Sequence, residues 1–329
     1  MTTERIQKWD REEIALVRIS MAPPLRWVNS YVLRGDEGIT IIDPGPHTNV
    51  SEGEWREAFA ELGISAADIS AIVVTHHHPD HYGMAGYMQS LSGAPVFMSE
   101  RAHEETRRMW GAASTMNEEL LNLYSRNGLP EAWCEQLPAH MESFISQVTP
   151  VPEVTYLSEE SRFRMGGRIW LPIETGGHAP GHLSFYHTEQ KIMICGDAVL
   201  PQISPNVSFL PGSDPMPLHT FMVSLDKLSA FEVDIAFPGH RNPFIYFGER
   251  TRLLIKHHEE RLERIVNMLA EQPMTGYEVC AVLFGNELGI HQMRFAMSET
   301  LAHVIELIRL GQVQISEGSD RQTDVFKLV

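Results

Sequence analysis

The sequence predicts an α+β fold built from two β-sheets, each covered by helices. Three observations lead there: short β-type runs come in groups, helical stretches flank the groups, and strict strand-helix alternation is absent. At 329 residues the chain can bury a large core, as one big domain or two smaller ones.

Residues 14–19, 30–33 and 39–42 read as short strands, and the last two flank Arg34-Gly35-Asp36-Glu37-Gly38, a hairpin turn. Residues 51–62 place Trp55, Phe59 and Leu62 on one helical face. Residues 71–74 form a fully apolar strand, 83–91 a helix and 95–98 another strand. From about 100 to 147 the pattern is helical alone, broken at Asn127-Gly128-Leu129-Pro130, and it reads as an insertion. Strands return at 168–173, 183–186 and 191–195, and a Pro-rich loop, a helix at 218–228 and a strand at 234–237 follow.

After Phe247, the stretch 249–269 is an amphipathic helix with Leu253, Leu254, Leu262, Ile265 and Leu269 along one stripe. Thr275 and Glu278 form a capping box that starts a second helix, a third spans 294–310, and 313–315 pairs with 325–328 across the loop 316–323. The expected organisation is a catalytic domain at 1–247, carrying the insertion at about 100–147, and a small winged-helix-like domain at 248–329. That tail has no basic stripe, so a structural or dimerising buttress is favoured over a nucleic-acid binder.

The net charge of −17, from 43 acidic against 26 basic residues, disfavours a polyanionic partner. Divalent ions at a site would restore positive charge locally, so RNA stays open. Cys134, Cys195 and Cys280 are far apart and describe neither a disulfide framework nor a metal knuckle. The amino terminus, with Glu4, Arg5, Lys8 and Asp10, is too charged for a secretion signal, and no stretch is long and apolar enough to span a bilayer. The expectation is a cytoplasmic protein without membrane association, acting on a small molecule, with homodimerisation open.

Chemistry concentrates at Thr75-His76-His77-His78-Pro79-Asp80-His81, directly after an apolar strand. Alternate residues of extended backbone share a face, so His76 and His78 address one ion. Asp80 and His81, where the chain turns into a helix, address another. Imidazole and carboxylate without thiolate suit zinc, iron or manganese. A dinuclear centre needs further ligands, and candidates follow other strands: Gly176-Gly177-His178-Ala179-Pro180-Gly181-His182, Gly196-Asp197 and Pro238-Gly239-His240. Each alone is an ordinary turn; four in order at strand ends are a joint signal.

This series, with Asp43 in Ile42-Asp43-Pro44-Gly45, resembles the metallo-β-lactamase superfamily over about residues 12–245. With no cysteine at the second position it looks like the glyoxalase II branch. The tail, with Glu299-Thr300-Leu301-Ala302-His303 and a terminal hairpin, resembles the lactamase-beta-2-like branch, some of whose members cleave single-stranded RNA. The resemblance implies an αββα sandwich in which His76, His78 and His182 hold the first ion. Asp80, His81 and His240 then hold the second, Asp197 bridges both, Asp43 orients the ligands from behind, and His77 and His178 take no part. It further implies hydrolysis assisted by two divalent ions, zinc foremost and iron or manganese as alternatives, with Asp80 as the catalytic proton relay.

A small ester, thioester or lactone is the favoured substrate. The insertion residues Met109, Trp110, Met116, Leu120, Leu123, Tyr124, Trp133 and Met141 either roof the site or pack as core, and helical spacing favours core. Asn206, Ser208 and Phe209 are candidate substrate contacts. The alternatives are an endoribonuclease, an iron-dependent sulfur dioxygenase and a non-catalytic regulatory binder.

Overall fold

The computed structural model describes residues 4–317 and 322–329. The first sheet has seven strands in sequential order: β1 (Ile6–Trp9), β2 (Ile14–Ser20), β3 (Trp27–Gly35), β4 (Gly38–Ile42), β5 (Ile69–Val73), β6 (Val96–Ser99) and β7 (Val154–Leu157). The first four pair antiparallel and the rest parallel. The second sheet runs in the order β12 (Ile235–Pro238), β11 (Ile192–Gly196), β10 (Leu183–His187), β9 (Arg168–Glu174) and β8 (Phe163–Met165).

Central strands are buried on both faces, and the two-residue side-chain period divides them between two cores. Ile14 and Leu16 of β2 and Tyr31 and Leu33 of β3 meet Leu183, Phe185, Ile192 and Ile194 in the core between the sheets. Their neighbours Val17, Ile19, Val28 and Val32 turn outward, under α1 (Asn49–Leu62) and the helix pair α2 (Pro79–Tyr82) and α3 (Ala85–Ser92). Trp55 is 1 % exposed there, its Nε1 donating to the Pro44 carbonyl at 2.7 Å. The sequence predicts one helix at 83–91; instead α2 begins at Pro79, so Asp80 and His81 lie in its first turn, and the chain bends at Gly83-Met84 before α3.

The insertion folds as α4 (Glu100–Trp110), α5 (Met116–Arg126), α6 (Glu131–Cys134) and α7 (Leu137–Glu142), with a 3₁₀ turn at Ile145–Val148. On the outer face of the second sheet lie α8 (Pro217–Ser229) and the long α9 (Phe247–Glu271), joined by Phe221, Leu225 and Leu254 in one core. The chain continues through β13 (Met274–Thr275), α10 (Gly276–Phe284), α11 (Ile290–Arg309), β14 (Val313–Glu317) and β15 (Asp324–Leu328). β13 joins the predicted hairpin as a third strand, in the order β13-β15-β14. Within the predicted loop 316–323, residues 318–321 lie outside the described residues. No helix among the described residues is long and apolar enough to cross a membrane.

Of the two fates open to the insertion, packing dominates. Met109, Met116, Leu120, Tyr124 and Met141 share a core with Ile265, Met297, Leu301, Val304 and Phe326 from the end of the chain. Trp110 is the exception: it touches two cores, and its Nε1 donates to the His77 carbonyl at 3.4 Å. The strands β1, β7 and β8 have no counterpart in the sequence reading, because they are short segments of three or four residues at sheet edges.

Candidate metal centre

The predicted residues gather where strands of both sheets end. Asp43, directly after β4, has a positive φ of 51°, a conformation rarely adopted by a side-chain-bearing residue and concentrated at functional sites. Its Oδ1 accepts from the Thr75 backbone N at 2.7 Å; its Oδ2 accepts from Thr75 Oγ1 at 2.7 Å and from His81 Nδ1 at 2.8 Å. One buried carboxylate thereby fixes both ends of the histidine string.

The tautomers follow from these partners. Thr75 Oγ1 gives its proton to Asp43, so it accepts from His76 Nδ1 at 2.9 Å. His178 Nδ1 faces the Asn206 carbonyl at 2.7 Å, and His240 Nδ1 the Trp27 carbonyl at 3.0 Å. His182 Nδ1 lies 2.8 Å from Thr175 Oγ1, whose own proton can go to Ser184 Oγ at 3.0 Å. In all five rings Nδ1 carries the hydrogen and the Nε2 lone pair is turned inward, the arrangement by which a protein fixes metal-binding imidazoles.

The inward-facing atoms crowd together. His76 Nε2 is 3.0 Å from His78 Nδ1 and 3.3 Å from His178 Nε2. Asp197 Oδ2 lies 3.3 Å from His240 Nε2 and 3.6 Å from the Nε2 atoms of His81 and His178, while Asp80 Oδ2 is 3.2 Å from His240 Nε2. His182 Nε2 faces the Asp197 backbone N at 3.1 Å. Three clusters have ligand atoms within 4.8 Å of one another: His76 with His78 and His178, His76 with His81 and Asp197, and Asp80 with His81 and His240. Lone pairs set this close repel unless a cation lies among them, and His81 Nε2 and Asp197 Oδ1 are buried without any hydrogen-bond partner. The donor set therefore fits divalent metal.

Backbone geometry leaves room for the cluster. A Cβ on Gly239 would come within 2.2 Å of Asp197 Oδ1, and one on Gly196, whose φ is +47°, within 2.6 Å of His182 Nε2.

Sequence reasoning sets His178 aside, and the structure brings its ring into the cluster. The cause is a loop in which Gly177, at φ +107°, lies tight against Phe221 and turns His178 back toward His76. Asp43, His76, His78, Asp80, His81, His182, Asp197 and His240 also come together, whereas His77 points away with neither ring nitrogen partnered. Of the candidate substrate contacts, Asn206 donates to Glu299 Oε2 at 2.7 Å, Ser208 donates to Asn206 Oδ1 at 2.5 Å, and the Phe209 N bonds the Ser298 carbonyl at 3.0 Å. Their polar groups tie this loop to α11.

Burial holds His76 and His78 well below the usual histidine range and presses His182 to about 3. Burial would lower His81 and His240 as well, but carboxylates outweigh it. Asp197, Asp80 and Asp43 hold His81 well above normal, and Asp197 with Asp80 lifts His240 to about 10. Burial would raise Asp197 and Asp80, yet these two rings bring both down.

Metal-stripped protein near neutrality is thus expected to hold protons on His81 and His240. That imidazolium pairing stabilises the stripped protein fully below 6.5, and for His240 it is lost as pH rises through about 10. Metal binding at pH ~7 should release these protons and tighten as pH rises. Calorimetric titration in buffers of different ionisation enthalpy checks this; a binding heat independent of buffer would contradict it.

Residues 25–240 match the metallo-beta-lactamase superfamily, and residues 262–327 match the metallo-beta-lactamase-like C-terminal domain. The chain belongs to the metallo-beta-lactamase superfamily. It is similar to the probable metallo-hydrolase YqjP of Bacillus subtilis (strain 168), 27% identical over 303 residues that span 89% of this chain and 91% of that protein. Among solved structures, a metallo-beta-lactamase family protein from Thermus thermophilus is similar at 30% identity and a TM-score of 0.86, over 96% of this chain and 99% of that one. A beta-lactamase domain protein from Burkholderia ambifaria is similar at 28% identity and the same TM-score of 0.86, over 96% and 92% of the two chains.

Proposed function

We propose that this chain is a metal-dependent hydrolase of a small ester, thioester or lactone, with zinc as its resident metal and iron or manganese able to replace it. The observation that carries this reading is the convergence of inward-facing ring nitrogens with Asp80 and Asp197. His76 and His78, completed by His182 or His178, would hold one ion. Asp80, His81 and His240 would hold a second, and Asp197 Oδ2 is within reach of both groups.

Divalent ions bound there supply Lewis acidity toward a carbonyl and toward the attacking water. The chain's own residues do the rest. Asp43 and the Thr75 and Thr175 hydroxyls fix the imidazole orientations. Asp80, with 19% of its side-chain surface open against 7% for Asp197 and 3.2 Å from His240 Nε2, would be the carboxylate that passes a proton toward the leaving group.

The order α9, β13, α10, α11, β14, β15 supports a winged-helix-like reading of residues 248–329. Many of its apolar side chains pack on the insertion and on the second sheet, which supports the buttress role over nucleic-acid binding.

Purified metal-replete protein should hydrolyse an acyl thioester with a higher kcat/KM than it cleaves single-stranded RNA. Chelation should remove about 10²-fold or more of that activity, with zinc restoring it. A greater specificity constant on RNA would replace this reading with a nuclease, oxygen uptake on a thiol substrate with an iron oxygenase, and full activity after stripping would end metal dependence.

A further inference from the structure

Beside the metal centre lies a buried cation that the fold leaves unanswered. Arg294, near the start of α11, is only 8% exposed, its Nε is buried without a hydrogen-bond partner, and no ion pair to it is present among the described residues. Its Cζ sits 4.2 Å from the ring centroid of Phe295 and 5.6 Å from that of Phe144, so the guanidinium is held between an aromatic ring of α11 and one of the insertion. Burial pulls its pKa down, and no carboxylate offsets this. In a chain with 43 acidic residues the missing partner is unexpected, because an unpaired charge away from water destabilises a fold.

Several contacts place this guanidinium by the site. Phe144, beside it, packs against Trp110 with ring centroids 5.6 Å apart, and Trp110 Nε1 donates to the carbonyl of His77, the residue between His76 and His78. Asn206 joins the two regions, donating to the Phe295 carbonyl at 3.3 Å while its own carbonyl accepts from His178 at 2.7 Å.

We propose that Arg294 is a substrate-binding residue that takes an oxyanion, a carboxylate or a phosphate, carried by the substrate away from the bond that is cleaved. The planar guanidinium fork matches such groups with two parallel hydrogen bonds, and the flanking Phe144 and Phe295 rings hold it in one plane. The inference rests on the hydrolase reading for the identity of the ligand as substrate, but not for the existence of the anion site.

The test has two parts. Glutarate and inorganic phosphate are titrated separately into metal-replete wild type, Arg294→Met and Arg294→Lys. At least one anion should bind wild type and lose about tenfold or more in affinity in Arg294→Met. The responding anion separates carboxylate from phosphate. Arg294→Lys, which keeps the charge but not the fork, should fall between and serves if the methionine variant does not fold. Arg294→Met is expected to raise the thermal midpoint, because an unpaired buried charge is removed. No binding of either anion to wild type, or equal affinity in the variants, overturns the proposal.

In the second part, kcat/KM is compared for an aryl acetate and the matching aryl hemisuccinate. The charged-to-neutral ratio should fall about tenfold or more in Arg294→Met, and an unchanged ratio overturns the proposal. If wild type hydrolyses neither ester while anion binding still depends on Arg294, the hydrolase reading fails and the anion site stands.

Discussion

Asp197→Ala is expected to lower kcat/KM on the order of 10³-fold and to reduce the metal content of the purified protein, with the fold retained. Asp197 Oδ2 lies within 3.6 Å of the Nε2 atoms of His81 and His178 and 3.3 Å from that of His240, so its loss unties the two halves of the cluster. The carboxylate also holds His81 and His240 in their charged forms in stripped protein. Asp197→Asn keeps the shape without the charge and should show a comparable loss of metal. Elemental analysis together with steady-state kinetics checks both variants, and a protein that keeps its full metal content and rate would remove Asp197 from the centre.

Asp43→Ala should act on stability and metal together, although Asp43 faces the ligands from behind. Three donors converge on its carboxylate, namely the Thr75 N–H, the Thr75 hydroxyl and the His81 Nδ1–H. Removing it leaves these groups buried and unsatisfied, at about 1–3 kcal/mol each. Loss of the anchor on His81 should weaken metal binding by about 10–100-fold. Chemical denaturation and metal competition measure the two effects. A variant with wild-type stability and metal affinity would mean that water replaces the carboxylate without loss.

The histidine string was legible because its chemistry is local: consecutive residues, a strand before them and a proline that starts a helix. The ends of β9, β11 and β12 were legible for the same reason, each marked by an apolar run leading into glycine or proline. His178 was not, because its place depends on how the loop at Gly177 closes against Phe221, a contact that no spacing reveals. The fate of the insertion was legible only as a choice. Periodicity shows that Leu120 and Tyr124 share a face, but not that this face meets Leu301 and Phe326 at the far end of the chain. The short strands β1, β7 and β8 were invisible for another reason: their pairing comes from an existing sheet edge more than from their own residues.

The apolar core shared by the insertion and the last helices has a consequence for how the protein comes apart. Leu120, Tyr124 and Met141 owe their burial to residues of the final stretch, including Ile265, Met297, Leu301 and Phe326. Truncating the chain after α8 would therefore leave those side chains facing water, and the carboxy-terminal part is not a detachable module. Helices on either side of this seam are expected to melt together, and with them the wall that carries Trp110 beside the histidine cluster.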